Sequence, residues 1–189
     1  MGLFGINSSK SESQFFKIEN ILKFSKVSEI KLKPLRKIEF DSNFLEFNTL
    51  IKNKKDASDK YFFVTNNGRW TGFVDENILK TVSLKKWEQN FVGDFKQPID
   101  SFVSVHSNDK LWETIERLEE TSEGFLLVLN AADIPMGIID RSKIGNFVLN
   151  KLGFNLPSEI VNKFNFKNHY PLGIELPRII NSMKKKGDL

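Results

Sequence analysis

The chain contains no cysteine, which excludes disulfide bonds, thiolate nucleophiles and cysteine-based zinc sites. Histidine is scarce as well, with His106 and His169 far apart in the sequence. Neither lies in the His-Glu-x-x-His frame of a zinc peptidase, so ordinary surface or hydrogen-bonding roles are favoured and no metal site is expected. The absence of cysteine fits a reducing compartment, and we expect a cytoplasmic location.

Long apolar runs are also missing. None approaches the roughly 18 to 20 residues that cross a bilayer, and the N-terminus lacks a signal-peptide pattern. We therefore expect no membrane span in this chain. The net charge is +4, with basic and acidic residues interspersed. The one basic run, Lys184 to Lys186, favours a solvated tail, so no nucleic-acid partner is expected.

A complete catalytic constellation is absent too. Ser142 has no histidine near it in the sequence, and there is no Gly-x-Ser-x-Gly elbow. Glu113, Glu116 and Glu119 follow the spacing of a solvated helix face rather than of a paired acid and base. The sequence therefore predicts that this chain is not an enzyme.

The clearest feature that is present is the stretch from Gly124 to Gly153. An apolar run from Phe125 is followed by a turn and by a second apolar run from Met136. Apolar residues then recur at helical spacing from Ile144 onwards. This order predicts a strand, a turn, a strand and a helix.

A weaker copy of this stretch lies about 65 residues earlier, and repeats of this size indicate duplicated structural units. A short strand and a helix precede the strand pair in each copy, and Glu76 to Phe91 predicts the closing helix of the first. The expected helix caps are Asp41 to Asn43 in the first copy and Ser107 or Asn108 in the second. The matching residues are Val64, Asn66 and Gly72 in the first copy and Val128, Asn130 and Gly137 in the second.

The segments Gly72 to Ile78 and Gly137 to Lys143, set in this duplicated order, resemble the CBS domain pair. The resemblance implies an α/β (α+β) fold, with two β-α-β-β-α modules packed as a pseudo-two-fold pair. An N-terminal helix and a C-terminal helical extension would flank the pair. The predicted units are a flexible N-terminus plus helix (1–30), the first module (31–92), the second module (93–153) and the extension (154–189).

A narrower resemblance covers most of the chain beyond about residue 30. Several segments are similar to the cytosolic C-terminal region of cyanobacterial site-2-protease-like membrane zinc metalloproteases, in which a CBS pair follows the peptidase. The resemblance implies a regulatory module, either part of such a protease or a stand-alone relative, that forms a homodimer through its CBS helices. The similar segments are Asn67 to Gly72, Trp87, Gly137 to Arg141 and Tyr170 to Pro177.

CBS pairs often bind adenine nucleotides between their modules, and the family motif indicates where. It places Ser or Thr at a strand end against phosphate, which corresponds here to Asp75 and Asp140. It places Asp three residues later against the ribose, which corresponds here to Ile78 and Lys143. A carboxylate about 4 Å from a phosphate repels it by roughly 4 kcal/mol at an effective dielectric of 20.

Two interpretations of these positions remain open. Asp75 and Asp140 would serve as helix N-caps, or they would contact a cleft ligand together with Arg141 and Lys143. The two basic residues would offset Asp140, which makes the second module the better candidate for an adenine nucleotide. Arg69 with the adjacent tryptophan is either an exposed contact surface or ordinary turn packing.

Overall fold

The computed structural model describes residues 8–52, 57–155 and 169–189. Within these ranges the chain forms five α-helices and six β-strands. The helices are α1 (Ser8–Phe24), α2 (Phe44–Ile51), α3 (Leu111–Glu120), α4 (Arg141–Lys151) and α5 (Leu176–Lys186). The strands are β1 (Lys37–Glu39), β2 (Tyr61–Asn66), β3 (Arg69–Asp75), β4 (Ser104–His106), β5 (Phe125–Leu129) and β6 (Pro135–Asp140).

The strands form two small sheets with the same topology, in the orders β1-β2-β3 and β4-β5-β6. In each sheet the first pair is parallel and the second antiparallel. Val64 lies opposite Gly72 and Val128 lies opposite Gly137, and a register shift follows each valine. The internal repeat and the α+β fold of two packed modules are therefore confirmed.

The turn between β2 and β3 has the backbone that its sequence predicts. Asn67 and Gly68 adopt positive φ angles of 49° and 76°, which asparagine and glycine tolerate best. The turn between β5 and β6 is longer. There the Asn130 side chain accepts hydrogen bonds from the backbone N–H groups of Ala132 and Ile134.

Helix α2 begins at the predicted cap. The Asn43 side chain accepts from the N–H groups of Leu45 and Glu46, and the Glu46 carboxylate accepts from the Asn43 N–H. The caps predicted for α3 are wrong, because this helix begins three residues or more after Ser107 and Asn108. Its N-cap position, Lys110, makes no side-chain cap bond.

Two further boundaries differ from the prediction. Serine is a common helix cap, and Ser11 or Ser13 would be the natural choice before the apolar stripe of the first helix, but both lie inside α1. The closing helix of the first module is replaced by single 3-10 turns, Glu76–Lys80 and Leu84–Lys86. Thr81 Oγ1 donates to the Ile78 carbonyl and Trp87 Nε1 donates to the Val82 carbonyl. These side chains occupy carbonyls that a continuous helix would use for its own ladder.

The two sheets face each other across an aromatic layer. The Phe102 ring lies 4.3 Å from Phe73 and 4.9 Å from Tyr61, centroid to centroid. Aromatic pairs of this kind add about 0.5 to 1.5 kcal/mol beyond simple burial. Both modules contribute to this inter-module core, whose buried members are Tyr61, Phe63, Phe73, Phe102, Phe125, Leu127 and Ile138.

Each module also completes the sheet of the other. We call residues 32–33 and 96–97 the crossing segments, because each precedes one module and pairs with the last strand of the other. Lys33 exchanges two backbone hydrogen bonds of 2.9 Å with Ile138, and Gln97 exchanges bonds of 2.9 and 2.7 Å with Phe73. The repeat glycines explain this approach, since a Cβ on Gly137 would lie 2.8 Å from the Lys33 carbonyl oxygen.

The helical additions pack on the second module. Ile18 and Leu22 of α1 are fully buried in its core, as are Ile180 and Met183 of α5. No helix in the described ranges has the length and hydropathy needed to span a bilayer. Much of the first part of the predicted C-terminal extension, residues 156–168, lies outside the described residues.

Candidate functional site

The two aspartates that replace the motif hydroxyls cap the turns that follow their strands. Asp75 accepts a hydrogen bond of 2.7 Å from the Asn77 N–H, at the start of the 3-10 turn after β3. Asp140 accepts one of 2.8 Å from the Lys143 N–H, at the start of α4. The N-cap interpretation is therefore confirmed for both residues.

Arg141 is held inside the second module rather than presented at its surface. Its side chain is 10% exposed, and its guanidinium binds both carboxylate oxygens of Glu119 at 3.0 Å. The Tyr170 hydroxyl donates to the same carboxylate at 2.9 Å. Burial, together with the negative charge of Glu119, raises the pKa of Tyr170 far above its ordinary value.

This network joins α3, α4 and the segment before α5. The Glu119 carboxylate occupies two N–H donors of the Arg141 guanidinium. A bound phosphate would need this same pair of donors. Glu119 is exposed, as the prediction of a solvated helix face requires, but its carboxylate also receives the arginine and the tyrosine. Arg141 as a ligand contact stays a prediction.

The ribose positions of the motif are also changed in character. Ile78 is 7% exposed and packs in the core of the first module, so its side chain has no means of binding a hydroxyl. Lys143 is half-buried in the first turn of α4. Asp75 and Asp140 lie at the ends of β3 and β6, in different modules, and their role as ligand contacts stays a prediction.

A cavity of about 630 Å³ lies near the opposite end of the strands, by the β2–β3 and β5–β6 turns. Asp140 pairs with Phe125 at the beginning of β5, whereas the cavity is bounded by the later part of that strand. None of the four predicted residues lines it. Its lining residues are Gly68, Arg69, Trp70, Ile99, Asp100, Ser104, Leu127, Leu129, Asp133, Ile134 and Pro135.

The cavity has apolar walls and a charged rim. Leu127 and Pro135 are buried, and Trp70 is held from one side by the Lys37 ammonium, 5.0 Å from its ring centroid. At the rim, Asp133 lies 2.8 Å from His106 Nε2. Volumes of this size and predominantly apolar linings are typical of small-molecule sites.

Arg69 and Trp70, predicted as either an exposed contact surface or ordinary turn packing, both line this cavity. Asp100 and Asp133 carry no local pattern, because they lie in separate turns of the second module that only the tertiary fold brings to one rim. Within the described ranges no three His, Asp or Glu side chains converge as metal ligands would.

Comparison with known proteins identifies the architecture. No protein-family model and no curated protein matches the chain. Among solved structures, the CBS domain of the bacterial CNNM/CorC family Mg²⁺ transporter aligns over 75% of this chain and 87% of its own, with a TM-score of 0.52 and 14% identity. The chain has the fold of a tandem CBS domain pair.

Two further structures agree with this CBS-pair fold. The same transporter domain in complex with ATP aligns over 77% of this chain and 99% of its own, with a TM-score of 0.52 and 14% identity. A protein of Methanocaldococcus jannaschii aligns over 67% of this chain and 60% of its own, with a TM-score of 0.53 and 18% identity. At these identities the likeness concerns the fold alone.

Proposed function

We propose that this CBS pair is a non-catalytic regulatory module. The observation that carries the proposal is the inter-module core, together with the cavity that residues of both modules line. A ligand or partner that contacts both modules favours one mutual packing over others, and this difference in affinity is what a regulatory device requires.

The finer proposal is that the module regulates a membrane-embedded zinc metalloprotease from the cytoplasmic side. Its support is the sequence resemblance of four segments, among them Tyr170 to Pro177. Of these, Tyr170 anchors the Glu119 carboxylate. The test is the cleavage rate of such a protease from the same organism, reconstituted with and without this chain. An unchanged rate at saturating chain concentration would contradict the protease link.

We also propose that the module forms a homodimer through its helices. Two leucines of α2 support this, because Leu45 and Leu50 are 42% and 41% exposed and offer apolar surface to a second copy. Static light scattering should give twice the monomer mass. A lysine at both positions should return the monomer, and a monomer for the unmodified chain at high concentration refutes the dimer.

The second candidate is an adenine-nucleotide sensor. It is favoured by the structure of the transporter CBS domain with ATP, which shares this fold. It is opposed by Asp75 and Asp140 at the phosphate positions and by the buried Ile78 at a ribose position. Calorimetric titration with ATP, ADP, AMP and S-adenosylmethionine separates the two functions, because an interaction module gives neither heat nor a shift in melting temperature.

A further inference from the structure

The rim of the cavity carries charges of both signs that are not used by the fold. Arg69 begins β3, and Asp100 lies in the short turn Ile99–Ser101 that packs against this strand. In residues 8–52, 57–155 and 169–189, neither side chain makes a hydrogen bond or an ion pair, and the two do not bind each other. Asp133, in contrast, is paired with His106.

Below these charges the cavity is apolar. Leu127 and Leu129 of β5 alternate with the residues that face the other side of the strand, and Pro135 closes the wall from β6. Trp70 adds a flat ring, braced by Phe63 at 6.3 Å and covered on one side by Lys37. A side chain of apolar or aromatic type would be removed from water here.

We propose that this cavity binds a zwitterionic ligand with an apolar side chain, that is, a hydrophobic α-amino acid. The ligand carboxylate binds the Arg69 guanidinium, which presents two parallel donors to a carboxylate. The ligand ammonium binds the Asp100 carboxylate, and the side chain enters the apolar part beside Trp70. A polyanionic nucleotide fits less well, because Asp100 and Asp133 both face the same rim.

Amino-acid binding would give the regulatory function its ligand. The binding itself does not depend on the proposed function, and only its regulatory effect rests on it. The ligand would touch β3 of the first module and β5 of the second at once, so that binding is coupled to their mutual packing.

The experiment is calorimetry of the full chain with three matched probes. Phenylalanine carries both charges, phenethylamine lacks the carboxylate, and 3-phenylpropionate lacks the ammonium. Phenylalanine should bind about tenfold or more tightly than either analogue, since a charged hydrogen bond is worth about one such factor. Equal affinities for the three probes, or no binding of phenylalanine at about 10 mM, overturn the proposal.

Two variants assign the charges. Arg69→Gln should weaken phenylalanine binding about tenfold while leaving phenethylamine unchanged, and Asp100→Asn should weaken it while leaving 3-phenylpropionate unchanged. The matched control is Arg178→Gln on α5, which should change nothing. Among the described residues, the exposed Arg178 side chain pairs only with Glu175 at the helix N-cap. Equal losses for all probes in either variant refute the assignment.

Titration with nucleotides distinguishes failure of this proposal from failure of the proposed function. Binding of ATP without binding of phenylalanine overturns the amino-acid assignment and supports a nucleotide sensor. Binding of phenylalanine that Arg69→Gln and Asp100→Asn weaken selectively supports the assignment, whatever a protease reconstitution shows. The circular dichroism of each variant should match that of the unmodified chain, because both rim residues are exposed.

Discussion

Replacing Gly137 by alanine tests whether the crossing segments hold the two modules together. The added methyl group would lie 2.8 Å from both Leu32 Cβ and the Lys33 carbonyl oxygen. Neither atom is the far end of a flexible side chain, so the crossing segment itself has to move. Its movement lengthens the two 2.9 Å hydrogen bonds between Lys33 and Ile138.

The size of the effect follows from these contacts. Overpacking at a tight site costs about 1 to 3 kcal/mol, and each weakened backbone hydrogen bond costs about 1 kcal/mol. Alanine restricts the unfolded chain relative to glycine, which returns about 0.4 to 1 kcal/mol. We expect Gly137→Ala to lower the free energy of unfolding by about 2 to 4 kcal/mol.

Urea denaturation followed by tryptophan fluorescence measures this change, and the midpoint should fall by about 1 M. The control is Met136→Ala, because Met136 lies next to Gly137 on the opposite face of β6 and is 52% exposed. It should change stability by less than about 0.5 kcal/mol. Gly72→Ala, against Gln97, should resemble Gly137→Ala. A Gly137→Ala protein as stable as the unmodified one would refute the reasoning.

Three further predictions concern polar groups. Tyr170→Phe removes the donor to Glu119 and should lower the free energy of unfolding in urea by about 1 to 2 kcal/mol; no loss would contradict this. Asp140→Ala should lower it by about 1 kcal/mol, whereas Asp140→Asn, which keeps an acceptor, should be nearly neutral in thermal melts. Burial raises the pKa of Glu123, but the hydrogen bonds from Tyr61 and Lys60 outweigh this effect and hold the pKa below its ordinary value. The ionised Glu123 carboxylate stabilises the fold above its unfolded pKa, and this stabilisation is lost as the pH falls through its folded pKa. Glu123→Gln should therefore reduce the pH dependence of the urea midpoint below about pH 4.5.

The duplicated order of strands and helices could be predicted because local patterns determine it. Apolar runs, the turn at Asn67 and Gly68, and the spacing of the repeat glycines all refer to near neighbours in the sequence. Gly72 and Gly137 gave a further long-range hint, since a glycine inside a strand indicates a close approach by another backbone. The sequence does not say which backbone approaches, and the crossing segments answer that question.

The remaining features depend on contacts between distant residues. The closing helix of the first module fails to form because the Trp87 and Thr81 side chains bind nearby carbonyls, a competition that helical periodicity does not register. Arg141, a predicted ligand contact, binds the carboxylate of Glu119 on another helix, and no local pattern indicates this pairing. The sequence does not show the cavity for the same reason, because its lining joins the turn before Trp70 in the first module to the turns of Asp100 and Asp133 in the second.

The crossing segments also determine when each sheet finds its last backbone partner during synthesis on the ribosome. The Gln97 segment emerges soon after β3, so the first sheet gains its last partner early. Lys33, however, has to wait for Ile138, far downstream, before its backbone pairs. Chains that terminate before β6 therefore release an unsatisfied segment and the exposed aromatic layer of the first module, both of which promote aggregation. The second hairpin therefore supplies both the backbone partner of Lys33 and the other half of the aromatic layer.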